Sequence, residues 1–196
     1  MLRGLLNAFT FNLINNKGPL LYQAIKDGDE DKVGSLLSGY IIPAYSTIKN
    51  SDANTIPPFS LAIELHNPGI LLKLLEHYQN NISEDEKHNA LRNAARNGHA
   101  AIVTTLLDRC GDVIYPYTKG ETLSDAAKNG HAAIVTTLLD RCSDVIEPRF
   151  KGYALQNAAE NGHVQSRGLK TAAGAINTDW MSYEYGSKIN KELLQN

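Results

Sequence analysis

The sequence predicts an all-α fold, a helical-repeat solenoid with capping segments at its N- and C-terminal ends, and three observations carry that prediction. The first is a recurrence: Asn97-Gly98-His99-Ala100-Ala101-Ile102-Val103-Thr104-Thr105-Leu106-Leu107-Asp108-Arg109-Cys110 returns residue for residue from Asn129 to Cys142, a period of 32. The second is that each period holds two apolar stripes at helical spacing, parted by an Asn-Gly pair. The third is that no alternation of β-branched and polar residues recurs with the period. Neither stripe buries enough surface by itself, so stability must come from stacking each helix pair on its neighbours.

Taken in chain order, Leu2, Leu5, Leu6, Phe9 and Leu13 fall at helical spacing and predict a capping helix over residues 1–16. A cleaved signal peptide is the weaker reading, because Asn7, Asn12, Asn15 and Asn16 interrupt the apolar stretch. Repeats are expected over 17–163, as units at 17–54, 55–86, 87–118 and 119–150 and a partial unit at 151–163. Gly18-Pro19-Leu20-Leu21, Ala24, Gly28, Val33, Leu36 and Leu37 fit the template displaced by a six-residue insertion, which the Pro43-to-Pro57 stretch accommodates as a loop.

From the second unit onward the columns line up. Phe59, Leu91, Leu123 and Leu155 form one; Ala62, Ala94, Ala126 and Ala158 form another, small enough to let successive pairs approach closely. Within a unit, Leu123, Ala126 and Ala127 mark the first helix, and Asn129-Gly130 ends it as a residue with positive φ would. Ile134, Val135, Leu138 and Leu139 mark the second, with one buried face. Ser83-Glu84-Asp85-Glu86 reads as a capping box that starts the third unit's first helix early. Beyond Val164 the pattern stops, and 164–196 is expected to be a C-terminal cap or divergent tail, with Val164, Leu169, Ala172, Ala173 and Ile176 as a shifted last helix.

Composition narrows the function classes. A formal charge of −2 with acids and bases interspersed gives no electrostatic footprint for nucleic acid or an anionic membrane. No run of apolar residues is long enough to span a bilayer. Two cysteines in 196 residues make no disulfide scaffold and suit a reducing compartment, so a cytoplasmic monomer is expected. No phosphate-binding loop, nucleophile elbow or HExxH is present. Asn81-Ile82-Ser83 is a lone glycosylation sequon. His99, His131 and His163 lie one period apart, ~10 Å by helix packing distances, too far to share a metal at about 2.1 Å; the same separation keeps Cys110 and Cys142 unbridged. No catalytic residue, metal ligand or cofactor is expected.

Leu91, Ala94, Ala95, Gly98, His99, Ile102, Val103, Leu106 and Leu107, repeated 32 residues on, match the stretch Thr-Pro-Leu-His-x-Ala-Ala-x-x-Gly-His-x-x-Ile-Val-x-x-Leu-Leu. In these residues the chain resembles the ankyrin-repeat family. Pro57 to Leu75 is a weaker member, with His66-Asn67 in place of Gly-His, and Gly18 to Leu37 carries Asp29 for the histidine. The Thr-Pro of the motif is nearly absent, and the unit is one residue short of the family's usual 33.

The resemblance implies that the histidine begins the second helix and hydrogen-bonds locally. It also implies a non-catalytic scaffold that binds another protein through connectors and first helices. Alternatives are the targeting arm of a larger enzyme, or an effector of an intracellular microbe acting in a host cytosol. Carried over residue by residue, the partner-binding positions are Arg96, Lys128 and Glu160 before the Asn-Gly breaks, and His88, Tyr117, Thr118, Arg149 and Phe150 on the connectors. Tyr115, Tyr117 and Phe150 are open to two readings, interface anchors or local core over helix ends. Asn93, Asp125 and Asn157 occupy a usually apolar column, either as a polar ladder between repeats or as a more hydrophilic surface.

Overall fold

The computed structural model describes residues 18–38, 48–49, 55–78 and 82–163; the capping segments expected at 1–16 and 164–196 lie outside them. Contacts divide the chain into two compact units, Met1–Ser83 and Glu84–Asn196. In the first, helix α1 covers residues 18–26 and is followed by α2 (Glu30–Ser38), α3 (Pro58–Glu64) and α4 (Pro68–Tyr78). Between α2 and α3 the stretch expected to be loop carries a two-rung antiparallel ladder, β1 (Ile48–Lys49) on β2 (Thr55–Ile56), with Ile48 opposite Ile56. Among its described residues the regular elements of the second unit are all helices: α5 (Glu84–Arg96), α6 (Ala100–Cys110), α7 (Pro116–Lys128), α8 (Ala132–Cys142) and α9 (Pro148–Glu160).

Every first helix ends the same way, and the bonds show why the Ala and Gly columns exist. After α7, the Gly130 N–H donates to the Ala127 carbonyl at 3.2 Å and the His131 N–H to the Ala126 carbonyl at 2.9 Å, the paired bonds of a Schellman motif. The same pair closes α1 at Gly28, α5 at Gly98 and α9 at Gly162, all with positive φ between 71° and 80°. At the equivalent point after α3 stands His66, held at φ 59° and donating to the Ile63 carbonyl.

The predicted core columns are inside. Leu91, Ala94, Leu123, Ala126 and Ala158 have no exposed surface, and Leu155 almost none. First helices stack on first helices, α7 lying against both α5 and α9, while α6 and α8 pair behind them.

Starts of the first helices differ from expectation. Glu84, Pro116 and Pro148 are one period apart, and each opens a helix of 13 residues. The early start expected for α5 is therefore shared by α7 and α9. Pro116 and Pro148 impose helical φ in the first turn, where their missing N–H costs nothing, and Tyr115 and Glu147 just before them are extended, with ψ 145° and 144°. Connectors shrink to residues 111–115 and 143–147. Tyr117, Thr118, Arg149 and Phe150 consequently lie on helices, as does His88.

In the first unit Tyr78 is 3% exposed and its hydroxyl has no hydrogen-bond partner among the described residues. Burial pushes its pKa up to about 12. Tyr78→Phe removes a desolvated, unpaired hydroxyl, so urea denaturation is expected to show equal stability or a gain of up to ~1 kcal/mol. The parent should also lose stability as pH rises from about 10, where the unfolded phenol ionises, to about 12, where the folded one does. This component should vanish in Tyr78→Phe; a variant destabilised by more than ~1 kcal/mol would mean that the hydroxyl is paired.

Candidate protein-binding surface

In the second unit the first helices α5, α7 and α9 bring most of the expected binding residues onto one side, but not all of them face solvent. Arg96, Lys128 and Glu160 lie in the last turns of these helices and are exposed. Arg96 is held by Asp125 of the neighbouring helix, Nε to Oδ2 at 2.9 Å, and Glu160 accepts from Gln156 Nε2 at 2.8 Å. Arg92 joins them, its NH1 2.9 Å from Glu121 Oε2 and its Nε 3.5 Å from Asp125. For Asp125 this resolves the open choice: the polar column is an ion-pair network linking α5 to α7. Its members are part-exposed, so each pair contributes little to stability and the network chiefly sets where the guanidinium groups point.

Three of the expected contacts are buried. Phe150 is 6% exposed and sits against Gly120 of α7; a Cβ there would lie 2.9 Å from Phe150 Cβ and closer still to its ring. Thr118, also 6% exposed, uses its carbonyl to accept the Thr122 hydroxyl at 2.7 Å. His88 is buried with its ring 4.4 Å from that of Tyr115 and its Nε2 3.4 Å from the Tyr115 N–H. These three side chains, enclosed by neighbouring elements, present little area to solvent. Of the two readings left open for the aromatics, Phe150 takes the core one, whereas Tyr115 and Tyr117 are more than half exposed.

Phe150 organises what lies above it. Tyr117 meets it edge-on at 5.2 Å, the Arg149 guanidinium lies 5.0 Å from its centroid, and Tyr153 meets it edge-on at 6.3 Å. Such contacts favour defined side-chain orientations. Tyr117 also donates its hydroxyl to Glu121 at 3.1 Å, and Arg149 pairs with Glu147 at 3.0 Å. Tyr153, 52% exposed, was missed by the sequence reading. Its signal was there to find: it stands four residues after Arg149 on the same helix, and therefore on the same face.

His99 and His131 begin the second helices α6 and α8, as the resemblance implied, but the His131 side chain does not bond locally. His131 Nε2 lies 2.9 Å from the Arg96 carbonyl, and its ring covers Gly98, where a Cβ would approach Cε1 to 2.7 Å. His163 covers Gly130 in the same way. The His131 bond spans repeats, docking the start of α8 on the end of α5, the first helix of the repeat before. In the first unit Asn67 and Asp29, at the same point of the repeat, cap locally, accepting from the Ile70 and Lys32 N–H groups at 2.9 Å. Lys151 makes another junction between elements, its Nζ donating to the Ser143 carbonyl at the negative end of α8.

Both thiols, Cys110 and Cys142, are free and buried, and burial pushes their pKa values up, against smaller opposing effects of Lys87 and Lys119. Raised pKa disfavours the thiolate and with it nucleophilic chemistry. Among the described residues no three His, Cys, Asp or Glu side chains gather as a metal site. No described helix is long and apolar enough to cross a membrane.

Comparison with curated proteins yields no match. A family model described as ankyrin repeats (3 copies) matches residues 59–149, from α3 into the first turn of α9. Repeats of this kind generally mediate protein–protein interaction. With the repeated helix pairs, the shared Schellman ends and this match together, residues 59–149 are an array of ankyrin repeats.

Proposed function

We propose that the protein is a non-catalytic scaffold that binds another protein through the exposed side of α5, α7 and α9. The observation that supports this most is the placement of Tyr117, Arg149 and Tyr153. In a chain with 7% aromatic residues, two tyrosines and an arginine stand more than half exposed around one buried phenylalanine that orients them. Tyrosine and arginine are favoured interface anchors, tyrosine because it brings large area with only two torsions to freeze and arginine because its planar guanidinium stacks and donates several hydrogen bonds at once. Arg96, Lys128 and Glu160 supply a charged rim at the other end of the same helices, and His88, Thr118 and Phe150 contribute as the layer beneath. A cytoplasmic, monomeric protein acting without nucleic acid, membrane, metal or cofactor completes the reading.

The test compares the chain with a Tyr117→Ala, Arg149→Ala, Tyr153→Ala variant as bait, then measures the affinity of the captured partner by calorimetry. Binding should weaken by ~2 kcal/mol or more per anchor truncated, with the melting curve little changed because all three are exposed. The control is Thr105→Ala with Thr137→Ala, whose hydroxyls only return to the Ala101 and Ala133 carbonyls of their own helices; it should bind as the parent does. A partner held equally well by the triple variant would refute this face as the binding site.

A further inference from the structure

The second unit carries the same dipeptide at each first-helix end, Asn97-Gly98, Asn129-Gly130 and Asn161-Gly162. Asn-Gly is chemically special because the glycine nitrogen, unhindered by a neighbouring Cβ, can attack the asparagine side chain. A C–N bond forms between the glycine nitrogen and Asn Cγ, and the side-chain amide leaves as ammonia, carrying off the proton of the glycine N–H. Water then opens the succinimide ring at one carbonyl or the other, leaving aspartate or isoaspartate. No oxidant, metal or second protein is needed.

We propose that Asn129-Gly130 and Asn161-Gly162 are self-modification sites that the closed repeat holds off and an opened repeat releases. Both pairs are exposed, so water reaches them and burial is not the safeguard. Geometry is. The backbone at Asn129 and Asn161 is near-helical, with ψ 5° and 8°, which keeps the next nitrogen off the line of attack on Cγ. Each carboxamide is drawn backwards over the preceding turn, Nδ2 donating to the Asp125 carbonyl at 2.8 Å and to the Asn157 carbonyl at 2.7 Å. Each attacking nitrogen is itself engaged, the Gly130 and Gly162 N–H groups donating to the Ala127 and Ala159 carbonyls at 3.2 Å. The bonds that end the helix are thus the bonds that block the reaction.

Conversion would also be one-way for the repeat. An isoaspartate adds a methylene to the backbone inside the Schellman turn, and either product places a negative charge at the negative end of the helix. At position 129 the turn that seats His163 over Gly130 is lost as well. A repeat that has opened is marked and does not reclose as before.

The full chain is incubated in mildly alkaline buffer, native, in urea, and native with Leu138→Ala, which removes a fully buried α8 side chain. Peptide mass spectrometry follows the mass gain of one unit at Asn129. Native loss is expected to be at least ~100-fold slower than in urea, since closed repeats open only rarely, and Leu138→Ala should fall between the two. A native rate within tenfold of the urea rate overturns the proposal, and so does a destabilised Leu138→Ala chain that reacts no faster. Chain aged in urea and refolded should melt lower than fresh chain, while Asn97→Ser, Asn129→Ser, Asn161→Ser chain aged identically keeps its midpoint. An unchanged midpoint in the aged parent refutes the one-way step.

Discussion

Phe150→Ala is expected to lower stability by ~3–5 kcal/mol, the usual cost of deleting a buried phenyl ring, without acting first on binding. The ring fills the space over Gly120 between α7 and α9, and its deletion leaves a cavity beneath Tyr117, Arg149 and Tyr153. Against a total stability typically of ~5–15 kcal/mol, a change of that size is readily measured by urea denaturation. The pairing with glycine supplies a second arm. Gly120→Ala in the parent should destabilise, because its Cβ meets the ring and Cβ of Phe150. In the Phe150→Ala background the same substitution should be neutral or favourable, since a helix interior prefers Ala to Gly by ~1 kcal/mol. Additive costs in that double-mutant cycle would show that the two residues do not share the space assigned to them.

Gly130→Val is the second large effect, expected at ~2 kcal/mol or more. A β-branched residue must take up φ 75°, and its Cβ would come within 2.8 Å of His163 Nδ1. Gly162→Val separates the two causes: its φ is 74°, but no described residue lies within 4 Å of the added Cβ. The cost at Gly162 should therefore reflect backbone strain alone and the excess at Gly130 the displaced histidine. Equal melting temperatures for the two variants would mean that His163 moves aside freely. His66, which holds φ 59° after α3, shows that this conformation is open to a residue with a side chain at the equivalent turn.

How much could be read in advance follows from the range of the forces involved. Helix ends were legible because a Schellman turn is decided within six residues, by an Asn-Gly break after an Ala that lends its carbonyl; the core columns were legible because a helix shows its buried face every three to four positions. The start of α7 is equally local, set by Pro116, at a point where the family resemblance implies a connector. The equivalent starts of α5, α7 and α9 place His88, Tyr117, Thr118, Arg149 and Phe150 on helices, where exposure alternates with the turn.

By itself, then, the sequence determined the period, the two-helix unit, the small-residue columns and the positive-φ turns, all set by interactions within one repeat. Whether an exposed-looking residue is core or surface was decided only by tertiary structure. Phe150 is buried because Gly120, thirty positions earlier, leaves room for its ring; Tyr153 stands in solvent around the same ring. Asp125 became the centre of an ion-pair network because α5 sets Arg92 and Arg96 beside it, and His131 reached the Arg96 carbonyl because Gly98 has no side chain in the way. Each of these depends on what the next repeat places opposite, and a linear pattern carries no record of which positions will face each other across a stack.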